Sequence, residues 1–381
     1  MSYIGTVLRS HAGGYLVHVQ TEQNSELLLT CQARGRLKKE RVAIVTGDLV
    51  EIDELDEATN SAVIVAQLAR RSLVRKPPLA NVDQVVIVQA VKQPDFSHLW
   101  CDRYLVHFQL ALPVSRPILC FNKCDLAEHF ELEGLRSIYE PLGYFVIFTS
   151  ARTGAGVAEL ARSISGKISV FAGPSGVGKS SILNELSPGL KLKTGVMENS
   201  FGVGRHTTTA SELYRLKLKG DDDAVLTWLA DTPGFNLYEF LHPEPRDVIA
   251  QFPEVLALSD KCKYANCLHL VEDGCAVLAA LAGSKGISAE RYLSYQTLVA
   301  ESQAEAQAAK SISKKVESSV KTVGGEGKSK VIPRLSHRYR EASRRKEKQK
   351  VTDFDDDEDE EGEFVDVFQS EPDDDYSDTE D

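Results

Sequence analysis

The sequence predicts a multidomain chain of three unlike parts: a small all-β barrel, a central α/β domain and a mainly helical C-terminal domain. Three observations carry this reading. Short strands separated by turn residues fill positions 1 to about 75, continuous apolar runs alternate with helical patterns from about 80, and three cysteines cluster with a histidine after 260. The corresponding boundaries are 1–75, 76–242 and 243–312, followed by a tail at 313–381.

In the first part, Ile4 to Leu8, Tyr15 to Val19, Leu27 to Cys31, Leu49 to Ile52 and Val63 to Val65 read as strands. Ala12-Gly13-Gly14, Gly47-Asp48 and Thr59-Asn60 supply turns between them. Five strands in this length suggest an oligonucleotide-binding (OB) barrel. The basic stretch Arg34-Gly35-Arg36-Leu37-Lys38-Lys39-Glu40-Arg41 is either a phosphate-facing loop or a solvated loop on a structural barrel.

Farther on, Val85 to Val88, Ile118 to Phe121, Tyr144 to Phe148, Ile168 to Ala172 and Val225 to Leu229 are apolar runs of the kind a parallel sheet buries on both faces. Trp100, Tyr104, Leu105, Phe108 and Leu112 recur at helical spacing and read as core. After Pro243 and Pro245 the pattern is short and helical, closing with a long helix from about Ala289 to Lys310.

Each strand end delivers a loop of chemical interest, as open α/β sheets require. Gly173-Pro174-Ser175-Gly176-Val177-Gly178-Lys179-Ser180, with Ser181 after it, fits the phosphate-binding pattern G-x-x-x-x-G-K-[ST]. Its glycines turn backbone N–H groups inward around phosphates, Lys179 supplies positive charge, and the Ser180 hydroxyl ligates magnesium. Asn122-Lys123-Cys124-Asp125 fits N-K-x-D, in which the Asp125 carboxylate accepts two hydrogen bonds from guanine that adenine cannot offer. Thr149-Ser150-Ala151 follows the next strand and supplies the backbone contact to the guanine carbonyl that usually accompanies that motif. Asp231-Thr232-Pro233-Gly234 matches D-x-x-G, with Asp231 holding magnesium through water and the Gly234 N–H sensing the γ-phosphate.

The base-reading motif precedes the phosphate loop, the reverse of the ordinary order, so the nucleotide domain reads as a circularly permuted GTPase. Phe235 follows Gly234 where common GTPases carry a glutamine. The substitute for that glutamine is sought in Gly202-Val203-Gly204-Arg205-His206-Thr207-Thr208-Thr209, where Thr208 completes the magnesium shell and His206 reaches the attacking water. The competing reading makes His206 a structural or RNA contact and leaves hydrolysis to an external residue.

Cys262, Cys267, His269 and Cys275 lie within fourteen residues. Three thiolates and an imidazole make a closed zinc site of the structural kind, one ion per chain; plain buried cysteines are the alternative. The remaining cysteines, Cys31, Cys101, Cys120 and Cys124, are scattered and read as reduced thiols.

The net charge of -12 conceals a division. Residues 353–381 hold 17 Asp and Glu and no Lys or Arg, so positions 1–352 set 44 basic against 39 acidic residues, a balance of +5. A mildly basic folded part suits a nucleic-acid partner. Residues 334–350 carry eight Lys or Arg, and neither the Ser, Lys and Gly-rich linker before them nor the acidic run after them offers enough apolar surface to order itself. The tail is either a basic arm on RNA, shielded by the acidic run, or a solvated extension. No apolar run of about 18 residues or leader-like start is present, so no membrane role is expected.

Taken jointly, the permuted order, Gly-Pro-Ser-Gly-Val-Gly-Lys-Ser, Gly-Val-Gly-Arg-His-Thr-Thr-Thr, Asp-Thr-Pro-Gly-Phe and the Cys-x4-Cys-x-His-x5-Cys cluster closely resemble the ribosome small-subunit-dependent GTPase A family (RsgA, also called YjeQ), from about residue 3 to about residue 300. The resemblance implies an N-terminal OB barrel that binds rRNA, a permuted GTPase core and a C-terminal zinc domain. It implies conversion of GTP to GDP late in maturation of the small ribosomal subunit, stimulated by that subunit, with magnesium beside the nucleotide. It also implies that His206 helps catalysis and that zinc sits on the four ligands named above. A cytoplasmic monomer is expected, with an organelle stroma, such as a plastid's, as the other compartment. A GTP-dependent switch with incidental hydrolysis, or one with a non-ribosomal partner, is the rival function.

Overall fold

The computed structural model describes residues 2–11, 13–20, 26–39, 42–56, 58–75, 78–112, 116–190, 211–219, 222, 225–231, 243–283, 286–315, 320–323 and 330–333. The first five strands, β1 (Tyr3–His11), β2 (Gly14–Gln20), β3 (Glu26–Ala33), β4 (Leu49–Asp56) and β5 (Ser61–Gln67), close into a barrel in the order β1-β2-β3-β5-β4. Closure removes the exposed strand edges that a five-stranded sheet would otherwise present. Alternate residues, among them Val17, Val19, Leu29, Cys31, Val50, Ile52 and Ile64, fill the interior, which is the OB-type barrel expected. The basic stretch differs from expectation. Gly35–Lys39 is a short helix, α1, and Arg34 is tied to Glu54 at 2.7 Å.

Two short strands, β6 (Leu73–Arg75) and β7 (Pro78–Ala80), pair with each other and lead into the central sheet. That sheet holds β8 (Gln84–Ala90), β9 (Ile118–Asn122), β10 (Phe145–Phe148), β11 (Ile168–Ala172), β12 (Glu212–Leu216) and β13 (Thr227–Asp231), in the order β10-β9-β8-β11-β13-β12. All neighbours are parallel except β12 with β13.

Every residue of β8, β9 and β11 is buried, because helices cover both faces. Alternation sorts them. Val85 and Ile87 face one core with α2 (His98–Ala111) and α3 (His129–Tyr139), whereas Val86 and Val88 face the other with α4 (Val157–Ile164) and α5 (Lys179–Leu186). Within α2, Tyr104, Leu105 and Phe108 are core as expected and Leu112 is buried just past its end. Trp100 is 44% exposed, because its position turns away from the sheet, and its ring lies under Arg103.

Sequence periodicity missed β12 and placed β13 two residues early. Edge strand β12 buries only Leu213 and Leu216, a pattern too sparse for a strand signal.

The C-terminal region adds α6 (Pro245–Ala250), α7 (Pro253–Ser259), α8 (Ala276–Ala282) and α9 (Ala289–Lys315). Prolines open α6 and α7 at positions where a missing N–H costs nothing. Val248, Phe252, Val255, Val277, Tyr292, Tyr295 and Val299 form their common core, which also takes in Val106 of α2. Among the described residues no helix is long and apolar enough to cross a membrane.

Residues 311–381 form a separate unit. Within it β14 (Val320–Val323) and β15 (Lys330–Pro333) pair antiparallel, where the composition of the linker had suggested no ordered strands. The basic and acidic runs lie outside the described residues.

Candidate functional site

The loops at the strand ends meet at one side chain. Asn122, the last residue of β9, is buried; its Nδ2 donates to the Val177 carbonyl at 2.8 Å, and its Oδ1 accepts from the Thr149 hydroxyl and the Ala151 N–H, each at 3.3 Å. One amide therefore ties the N-K-x-D loop to the phosphate loop on one side and to the turn after β10 on the other. A buried amide with its donor and acceptor both used this way holds a single orientation.

The phosphate loop runs from Gly173 to the start of α5. Gly173 has φ +146°, and a Cβ there would stand 2.0 Å from the Val88 carbonyl; Gly178 has φ +95°, and its Cβ would stand 2.4 Å from Asn122 Nδ2. Both positions admit only glycine, for conformation and for space alike. Val177 is buried beneath the loop, and Ser180, on the first turn of α5, is 7% exposed. Pro174, Ser175 and Gly176 form the outer turn, and Ser181 follows on α5. Lys179 Nζ donates to the carbonyls of Gly173 (2.7 Å) and Pro174 (2.8 Å), so its ammonium lies across the loop with the helix N-terminus behind it. Cation and helix dipole reinforce each other toward an anion.

Lys123 adopts a left-handed conformation, φ 60°. Its Nζ donates to the carbonyl of Gly176 at 2.8 Å and to that of Gln93, in the turn after β8. Asp125 sits in a single 3-10 turn, Cys124–Leu126, paired with Arg152 at 2.5 Å. A hydrogen bond from the Ser150 hydroxyl, with the hydrogen bond and charge of Arg152 added, holds the Asp125 carboxyl below the ordinary range. An ionised carboxylate accepts hydrogen bonds and donates none, which suits a base edge carrying two N–H groups.

Gln93 and Arg152 were missed by the sequence reading. Gln93 contributes only a carbonyl, which no side-chain pattern reveals; Arg152 could have been found from its place directly after Ser150-Ala151. Asp231 ends β13, its backbone opposite Glu212 of β12. His206, Thr208 and Gly234 lie outside the described residues.

A second constellation lies in the C-terminal region. Ligand atoms of Cys262, Cys267, His269 and Cys275 all fall within 4.8 Å of one another. His269 Nδ1 is 3.4 Å from Cys262 Sγ and 3.5 Å from Cys275 Sγ. On the far side of the ring, Nε2 lies 3.1 Å from Ser259 Oγ, which donates its own proton to the Val255 carbonyl. Ser259 must then accept from Nε2, which leaves the Nδ1 lone pair facing the sulfurs.

His269 is left-handed at φ 57°, and the tyrosine hydroxyls of α9 secure it: Tyr292 donates to the His269 carbonyl and Tyr295 to that of Leu268, both at 2.7 Å. Although burial opposes its ionisation, Glu272 is held at about 2 by backbone N–H groups, among them those of Leu268, Leu270 and Val271. Three sulfurs and one oriented imidazole nitrogen form a soft donor set that fits a tetrahedral metal.

The RsgA GTPase family model matches residues 66–241. Small ribosomal subunit biogenesis GTPase RsgA of Moorella thermoacetica is 39% identical over 297 residues, covering 78% of this chain and 96% of that protein. The protein of the same name from Bacillus anthracis is 36% identical over 301 residues, covering 78% and 96%. Among solved structures, YjeQ from Thermotoga maritima is 34% identical with a TM-score of 0.64, covering 80% of this chain and 99% of that one. YloQ, described as a circularly permuted GTPase, is 30% identical with a TM-score of 0.62, covering 80% and 96%. With relatives spanned almost end to end and a guanine-type loop that precedes the phosphate loop in the chain but meets it in space, this chain belongs to the RsgA GTPase family.

Proposed function

We propose that this GTPase acts in late maturation of the small ribosomal subunit, binding that subunit and its rRNA and hydrolysing GTP in response. Its class, a GTP hydrolase, follows from the family. The observation that supports the site assignment is the Asn122 amide, which ties the three loops together. In this reading Asp125 reads the guanine edge, and Ser150 and Ala151 present backbone to its carbonyl. Lys123 braces the pocket, and residues 173 to 181 take the phosphates on N–H groups and Lys179. Magnesium, when bound with GTP, would be held by Ser180 and Thr208, with Asp231 behind a water; the ion supplies neutralisation of phosphate charge.

For hydrolysis, Phe235 offers no polar group, so we assign the orientation of the attacking water to His206, three residues before Thr209. The four-residue sulfur and imidazole cluster fits one structural zinc, which would fasten the loop between α7 and α8. The names of the relatives support the ribosomal partner, and their bacterial sources support a cytoplasmic setting. A barrel whose strand order is that of oligonucleotide-binding domains supports the rRNA contact.

Purified small subunits should raise GTP turnover by more than about tenfold if they complete the active site, since groups supplied in trans to other GTPases are worth roughly a thousandfold or more. Turnover indifferent to the subunit would sink the ribosomal role and favour an incidental GTPase. His206→Ala should lower subunit-stimulated turnover while leaving GTP affinity nearly intact.

A further inference from the structure

Besides the chain connection through residues 232–242, a second physical line joins the C-terminal region to the nucleotide loops. We propose that helix α2 is that line, with Arg103 and Arg291 as positioning residues that act on nucleotide retention through it. The inference rests on the nucleotide reading of these loops given above.

The N-terminal end of α2 is fixed to the pocket. Ser97 caps the helix through its Oγ, which accepts from the Trp100 N–H. The turn just before it is bonded to β9, since the Val91 N–H donates to the Asn122 carbonyl at 3.0 Å. In the same turn the Gln93 carbonyl accepts from Lys123 Nζ, the ammonium that also binds the Gly176 carbonyl of the phosphate loop. Phe96 stacks edge-on against Phe121, next to Asn122. Any displacement of α2 therefore moves an acceptor that both Lys123 and, through it, the phosphate loop rely on.

The flank of α2 is fixed to the C-terminal region with comparable definition. Asp102, fully buried one turn after the cap, pairs with Arg291 of α9. Arg291 also pairs with Glu254 of α7 at 2.6 Å and lies over the rings of Phe252 (4.7 Å) and Tyr139 (5.4 Å). Next to it, Arg103 holds Glu301 of α9 with two bonds, 2.5 and 2.7 Å. Apolar faces can slide past one another at little cost, but a buried or two-pronged ion pair is satisfied over a narrow range of positions. These pairs therefore transmit a shift of α9 to α2 where greasy packing alone would absorb it.

The Arg103–Glu301 pair is the better test, since Glu301 is 44% exposed and a reversal there can be accommodated. The experiment uses the full chain with Arg103→Glu, Glu301→Arg and both together. It measures release of a fluorescent GDP, KM and kcat for GTP, metal content and melting temperature. Each single reversal should speed GDP release by about fivefold, a typical size for coupling between sites, with KM rising more than kcat falls. The double reversal should return both toward the parent values. Single variants that melt earlier yet release GDP at the parent rate, or a double variant that restores nothing, would overturn the inference alone. A parent chain that binds no guanine nucleotide would overturn the reading of the loops and this inference with it.

Discussion

The central domain carries a neighbour on each side, and the two seams are built from different materials. Against the barrel, β1 lies alongside β12, and the polar links are the Thr46 hydroxyl on the Ser211 carbonyl (2.8 Å), Arg9 with Glu212 (3.5 Å) and Arg215 with Glu26 (3.2 Å). Leu8 and Leu16 add apolar contact, and His18 meets Trp228 edge-on. Against the C-terminal region, α2 shares a continuous apolar core with α7 and α9, and the Asp102–Arg291–Glu254 array links the three helices, all three side chains at most 4% exposed. A partly exposed pair joined by one long contact is screened and nearly free to break, whereas buried or two-pronged pairs fix position and are costly to leave half-made. The barrel seam is thus suited to adjustment and the helical seam to transmission. Both adjoin segments that carry sequence motifs: β12 begins just after residues 202–209, and Pro243, whose carbonyl accepts from the Ser302 hydroxyl of α9, follows residues 232–242.

The largest expected break comes from the sulfur and imidazole cluster, for which we propose zinc. A chelator strong enough to strip zinc should unfold the C-terminal helices, reducing the near-ultraviolet signal of Tyr292 and Tyr295 while the barrel stays folded; a chelated protein with that signal intact would contradict a structural metal. Next, Arg291→Met leaves Asp102 and Glu254 buried without their cation and should cost about 3–5 kcal/mol in denaturant unfolding. A loss under about 1 kcal/mol would mean the array is not charged as described.

Smaller effects are expected at the barrel. Burial lowers the pKa of His18 in spite of Glu26 beside it. The folded chain therefore resists a proton that the unfolded chain accepts below about pH 6.5, so this residue's contribution to stability is intact above that pH and declines as pH falls below it. His18→Phe should flatten that part of the stability profile, and an unchanged slope would remove His18 from it. Smallest of all, Arg9→Ala should cost no more than about 1 kcal/mol, vanishing in high salt, because the Arg9 side chain is half exposed. A salt-resistant loss several times larger would erase the contrast between the seams.

Much of the site was legible because its chemistry demands residue types at fixed spacing. Glycines at 173 and 178 are required where a Cβ would strike Val88 and Asn122, and a motif that needs them shows in the sequence. The cysteine cluster was legible for the same reason, since sulfur and imidazole have few other uses in such density. Trp100 misled, because periodicity registers an apolar residue without saying which way its position faces. Ser259, which orients His269, left no signal at all, being a common residue serving a neighbour ten positions away. Strand β12 was illegible because an edge strand buries too little to leave a pattern.

The order of the parts, the permuted motifs and the clustering of three cysteines with a histidine are local facts, written as residue types and spacings, and the sequence alone determined them. What joins the parts was decided only in three dimensions. Asn122 meets Val177 across 55 positions and Asp102 meets Arg291 across 189, and a pair so distant in the chain becomes a contact only when the cores on either side have packed.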